Sequence, residues 1–262
     1  MKKNYLMYLT LIMLLSLALY SCAPVSAPTI PPENGENENG ATDEPGEDLP
    51  PENDGEFPDS DEGEEIPEEL TLEETIGVYS FLSSPIAGAR VSSVDGQLPN
   101  APRRYRNGVH EGLDYFEVER GEPVLAAADG VVIRSDYDYV EMTLEEYEEV
   151  IRISMEEEIT PEEMLDKLRG RQVWIAHQHD IITRYAHLES IPEDVRVGDV
   201  VEKGQVIGTV GDSGSKSGVV GYTVSGNSAP HLHFEIWRGD RFLGQGLPSD
   251  EVRYIYTEIL KD

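Results

Sequence analysis

The stretch Ala229-Pro230-His231-Leu232-His233-Phe234-Glu235-Ile236-Trp237 alternates polar and apolar side chains over most of its length, the period of a β-strand. Side chains two apart share a face. His231, His233 and Glu235 therefore point one way, and Leu232, Phe234 and Ile236 point the other way, toward a core. Two imidazoles side by side on a strand suit a pair of metal ligands, or one ligand beside a catalytic base. They also suit two histidines satisfied by neighbouring polar groups.

Outward from this strand, the chain from about residue 76 to 262 reads as one domain, long enough to bury a core. It is built of short β-like runs: residues 121–133, Val173 to His177, Ile181 to Leu188, Val195 to Val201 and Gln205 to Val210. Glycines such as Gly198, Gly204, Gly208 and Gly211 predict tight turns with φ > 0 between them. The pattern is that of mainly antiparallel β-structure. Residues 141–169 break it. Thr143-Leu144-Glu145-Glu146 and Thr160-Pro161-Glu162-Glu163 read as capping boxes, with Pro161 at a first helical position. Leu144, Tyr147, Val150 and Ile151 recur at helical spacing, as do Met164, Leu165 and Leu168, and Gly170 suits a C-terminal cap. This predicts a helical hairpin inserted between two strands, with its many glutamates on a solvated face.

The N-terminal third is of another kind. Lys2 and Lys3, an apolar run from about Tyr5 to Tyr20 and Ser21-Cys22 read as an export signal over residues 1–21. Cys22, the only cysteine, stands where a bacterial lipoprotein signal places its lipidated residue, so the expected location is the outer face of the cytoplasmic membrane, held by a lipid on Cys22, or otherwise secreted or associated with the cell wall. Residues 22–75 are rich in Pro, Gly, Glu and Asp. No Lys or Arg lies between Lys3 and Arg90, and nineteen acids between Glu33 and Glu74 carry −19 of the formal −32. Such a segment predicts a disordered, self-repelling tether. The acidity excludes a nucleic-acid partner, which requires a basic footprint. With one cysteine there is no internal disulfide.

The remaining histidines complete the pattern. His110-Glu111-Gly112-Leu113-Asp114 places an imidazole and a carboxylate four apart. On a straight strand they would stand ~13 Å apart, too far for one ion, but a kink at Gly112 would bring them together. Two such ligands make an incomplete site; His233 would be a third, leaving a fourth position for water. Tyr185-Ala186-His187-Leu188 puts Tyr185 and His187 on one strand face. His177 and His179 lie near a hairpin turn and read as structural or exposed.

The order His110…Asp114, Tyr185-Ala186-His187-Leu188, His231-Leu232-His233 resembles the lysostaphin or LytM-type zinc metallopeptidases, whose better-known members cut peptide bridges in bacterial peptidoglycan. The likeness spans most of residues 84–237 and includes Pro123-Val124-Leu125-Ala126-Ala127-Ala128-Asp129-Gly130 and Gly211-Asp212-Ser213-Gly214. It implies antiparallel sheets forming a groove, of the duplicated-hybrid-motif kind, with one zinc ion at its floor. It implies His110, Asp114 and His233 as zinc ligands, and His187 and His231 as the catalytic pair beside the metal-bound water. The insertion at 141–169 and the segment 215–229 depart from the family pattern. Two readings follow: an endopeptidase acting on peptidoglycan peptides, or a non-catalytic or autoinhibited envelope module that binds peptidoglycan or activates a partner hydrolase, with the insertion as a lid.

Overall fold

The computed structural model describes residues 70–221 and 229–261. The export signal, Cys22, the tether as far as residue 69, and residues 222–228 lie outside the described residues. In chain order the elements are α1 (Leu72–Tyr79), β1 (Leu113–Tyr115), β2 (Pro123–Leu125) and β3 (Gly130–Ser135), then α2 (Leu144–Glu156) and α3 (Glu162–Arg169). There follow β4 (Val173–Ala176), β5 (Ile181–Ala186), β6 (Leu188–Ser190), β7 (Val200–Val201) and β8 (Val206–Val210). The last are α4 (Lys216–Val220), β9 (Leu232–Arg238), β10 (Arg241–Phe242) and α5 (Ser249–Ile259). Helix α1 starts ahead of residue 76, behind a capping box between Thr71 and Glu74.

Among the described residues every strand pairs antiparallel. The larger sheet runs β1-β9-β5-β4-β3-β7, with β10 also on β9; the smaller runs β2-β8-β6. The expected architecture of antiparallel sheets with a helical insertion is therefore present. Strand β9 lies between β1 and β5, and its alternation does what the sequence predicts: Leu232, Phe234 and Ile236 are fully buried in the core. That core extends through Ile175, Tyr185 and Leu113 to α5, whose Val252, Ile255, Tyr256 and Ile259 face inward. This spacing, one residue every three or four, is that of an amphipathic helix, which covers the sheet where only strands were expected.

Helices α2 and α3 form the expected hairpin between β3 and β4, with a small core of their own around Val150, Met164 and Leu168. Thr143 and Glu146 make the reciprocal cap at the start of α2. The second expected capping box is absent. Pro161 is itself the N-cap of α3, and no side chain caps it. Thr160 is instead buried, its backbone N–H donating to the Asn107 carbonyl at 2.7 Å and its hydroxyl bonded to the same oxygen. A long-range partner has taken the hydroxyl that a local cap would have used.

Two further expectations are corrected. Gly198 and Gly204 do have positive φ, but Gly208 and Gly211 do not. Their lack of a side chain serves close approach: a Cβ on Gly211 would lie 2.5 Å from the Glu189 nitrogen. And Tyr185 and His187 do not share a face. β5 ends at Ala186, opposite His233, while Leu188 already pairs with Val210 in the other sheet. His187 is the single residue between, with φ 61°. That left-handed step turns its ring away from the core that Tyr185 fills.

The Tyr185 hydroxyl accepts from the buried Ala127 N–H at 2.8 Å and meets Thr183 Oγ1 at 3.0 Å. Tyr185→Phe orphans that N–H and is expected to lower stability by about 1–3 kcal/mol, measured as a lower urea midpoint at constant m-value.

Candidate active site

Three donor atoms converge beside the larger sheet. Asp114 Oδ1 lies 2.9 Å from His110 Nε2 and 2.8 Å from His233 Nδ1, and the two ring nitrogens are 2.9 Å apart. All three residues are buried. Asp114 and His233 are brought together by strand register, since they are direct partners across β1 and β9. His110 precedes β1 and is held by antiparallel bonds to residues 100 and 101: its N–H donates to the Ala101 carbonyl at 2.8 Å.

The kink expected at Gly112 takes another form. Gly112 is not among the residues with positive φ. A Cβ there would stand 2.6 Å from the Phe234 carbonyl oxygen and 2.9 Å from His233 Cε1. Glycine is required so that the chain from His110 can press against β9.

The far side of each donor residue is tied down. His110 Nδ1–H donates to the Leu98 carbonyl at 3.0 Å, which leaves the Nε2 lone pair for the site. His233 Nε2–H donates to the buried Glu235 at 2.8 Å, which leaves Nδ1. Asp114 Oδ2 accepts from Arg103 at 2.9 Å, a buried ion pair that the sequence did not announce. Burial disfavours an ionised Asp114, but its bonds to His110 and His233 hold it well below the ordinary carboxylate range. Burial likewise disfavours charge on His233, yet Asp114 and Glu235 outweigh it and push the imidazole up to about 9. His110 is driven down to about 4, mainly by burial. The two rings thus share one proton, carried by His233 Nδ1 and directed at Asp114 and His110. Once that proton is displaced, three lone pairs meet at 2.8–2.9 Å and repel one another unless a cation stands among them. Two imidazoles and a carboxylate fit a metal ion; among the described residues this is the one such cluster of His, Cys, Asp and Glu.

His187 and His231 flank the cluster. His187 Nδ1–H donates to the Ser213 carbonyl at 2.7 Å, and His231 Nδ1–H to the Ala229 carbonyl at 2.8 Å. Each therefore has Nε2 free to accept a proton. Their ring centroids are 4.6 Å apart, and His231 is stacked on Phe116 at 4.1 Å. Burial lowers both pKa values, that of His187 well below the ordinary value. Leu165, Leu168 and Arg169 of α3 line the same cavity as His110, Asp114, His187 and His233. His177 and His179 are not part of it: His177 bonds the Asp129 carbonyl and Thr183, and His179 is exposed.

Residues 158–245 match the family model described as Peptidase family M23. Over that stretch, about a third of the chain, the sequence is similar to M23 peptidases. The M23 match contains His187, His231 and His233, while His110 and Asp114 precede it and join the site through the β1–β9 pairing. The chain is 31% identical over 156 residues to the peptidoglycan DD-endopeptidase ShyC of Vibrio cholerae, covering 60% of this chain and 26% of that protein. It is 29% identical over 163 residues to an uncharacterized metalloprotease of Haemophilus influenzae, covering 62% and 26%. The chain thus spans about a quarter of the length of these relatives. Among solved structures it is similar to a zinc containing peptidase from Vibrio cholerae, at 25% identity and TM-score 0.38, covering 63% of this chain and 38% of that one. It is similar too to the catalytic domain of lysostaphin from Staphylococcus simulans, at 22% identity and TM-score 0.31, covering 64% and 86%. The M23 family is metal-dependent, in keeping with the His-Asp-His cluster.

Because a metal at His233 Nδ1 displaces a proton whose pKa is raised to about 9, apparent zinc affinity should rise with pH up to about 9. The expected slope is about tenfold per pH unit. Chelator competition at pH 6, 7 and 8, with proton release read from calorimetry in two buffers, checks this.

Proposed function

We propose that this chain is a zinc-dependent endopeptidase that hydrolyses peptide cross-links or bridges in bacterial peptidoglycan, exported and anchored to the outer face of the cytoplasmic membrane through a lipid on Cys22. The observation that carries the reading is the convergence of His110 Nε2, Asp114 Oδ1 and His233 Nδ1, with the free Nε2 atoms of His187 and His231 alongside. The M23 match and the relative named as a peptidoglycan DD-endopeptidase support it.

Three protein ligands leave a coordination position open, the arrangement of a catalytic rather than a structural site. A zinc ion held there supplies Lewis acidity, lowering the pKa of water and polarising a carbonyl. The chain's own groups do the rest. His187 and His231, both kept neutral by burial, meet the substrate as bases. Either ring can take the proton of the attacking water and, once charged, bond the developing oxyanion or return a proton to the leaving amine. Phe116 fixes the plane of His231 for that transfer.

A second reading, a non-catalytic or autoinhibited module that binds peptidoglycan or activates a partner hydrolase, is favoured by one observation: Leu165 and Leu168 of α3 line the cavity.

The deciding experiment incubates the zinc-loaded chain with purified peptidoglycan of several cross-link types and reads new peptide ends by mass spectrometry. New amine ends that vanish with chelator establish the endopeptidase. No cleavage by a folded, zinc-bearing chain favours the second reading. His187→Ala and His231→Ala should keep zinc and lose turnover by about 10²–10⁴-fold; near wild-type turnover in both would remove them from the chemistry. His110→Ala and Asp114→Ala should lose zinc as well.

A further inference from the structure

The inserted hairpin reaches the metal cluster through its last residue. Arg169 ends α3, and its side chain is buried at 5% exposure. Its Nε donates to Glu235 Oε1 at 2.6 Å. That same oxygen accepts His233 Nε2–H at 2.8 Å. Glu235 is fully buried, with its other oxygen taking the Trp237 indole N–H at 2.5 Å. Arg184 stands 3.6 Å from that oxygen, its guanidinium packed between the Trp174 and Trp237 rings. A buried carboxylate is costly unless paired with a cation, and with His233 a neutral ligand Arg169 is the cation in hydrogen-bond contact. The Arg169 backbone adds a second link, since its carbonyl accepts the His187 N–H at 2.8 Å.

We propose that Arg169 is a positioning residue of the metal centre, acting through Glu235 on His233. This rests on the metal-site reading given above. The chain of contacts has a definite chemical effect. A charged, fixed Glu235 holds the proton of the neutral His233 ring on Nε2 and sets the ring plane, so that Nδ1 presents its lone pair to the metal. Partners of this kind typically change metal affinity by about 10–100-fold when removed. The insertion is then an integral support of the ligand set, and a lid role for its leucines is separate from it. Removing residues 141–169 would leave Glu235 buried without its bonded cation.

The test titrates Zn2+ into the full chain against a chromophoric chelator and records the Co2+ absorption spectrum of each variant. Arg169→Met should weaken zinc binding by about 10–100-fold and alter the Co2+ spectrum, and Arg169→Lys, which restores the charge, should recover most of the loss. Glu235→Gln should weaken binding similarly, and adding Arg169→Met to Glu235→Gln should cost little more, because the Arg169 side chain acts on His233 through Glu235 and the backbone link to His187 is kept. The double variant leaves no buried carboxylate unpaired, so it carries the comparison should Arg169→Met alone fail to fold. A merely structural pair would lower the apo-protein melting temperature and leave zinc affinity and spectrum unchanged; that result overturns the proposal. So does an undiminished effect of Arg169→Met in the Glu235→Gln background. A wild-type chain that binds no stoichiometric zinc overturns the metal-site reading, and this proposal with it.

Discussion

Asp114 Oδ1, His110 Nε2 and His233 Nδ1 are crowded to within 2.8–2.9 Å of one another in a buried site. Crowding three lone-pair atoms without solvent is unfavourable unless a cation stands among them and each group is held from behind. The backing groups are a carbonyl for His110, Arg103 for Asp114 and Glu235 for His233. Each backing contact also decides which atom faces inward. Much of the domain can be understood as the means of holding these three residues together: β-register for two of them, and the bare surface of Gly112 for the third.

The two sheets meet at the same place. His187 is where the chain leaves the larger sheet for the smaller. A non-glycine residue in the left-handed region costs about 1–2 kcal/mol. Here the conformation is held by bonds from the His187 N–H to Arg169 and from its ring to Ser213. Strain of this kind at a residue beside a donor cluster fits a functional position. Without that step a regular strand would direct His187 into the space that Tyr185 and Phe234 occupy, with ring centroids 5.2 Å apart.

The insertion has two unlike faces. The glutamates of α2 stand in solvent, some paired locally with Arg152. Its inner side packs its own small core and places Leu165, Leu168 and Arg169 at the cavity. Asn107 fastens the hairpin to the loop before His110, its side-chain amide donating to the Met155 and Glu157 carbonyls at 3.1 and 2.7 Å. The insertion is therefore bound on two sides to the segments that carry the donors.

What the sequence by itself determined is whatever depends on local period and residue chemistry. The alternation of the His231 strand gave its buried face, the capping box and 3.6-residue spacing gave α2, and imidazoles with a carboxylate in a characteristic order marked the candidate site. Only the tertiary structure decided the rest. Thr160 was diverted from a cap to Asn107, Gly112 proved necessary for close approach rather than a turn, and His187 was rotated by a crossing between sheets. Arg103 and Arg169 became neighbours of the donors although 11 and 66 residues separate them from the carboxylates they pair with. The reason is physical. A strand or helix period is set by backbone geometry within a few residues, whereas the partner of a buried charge is chosen by which distant segments the core brings into contact.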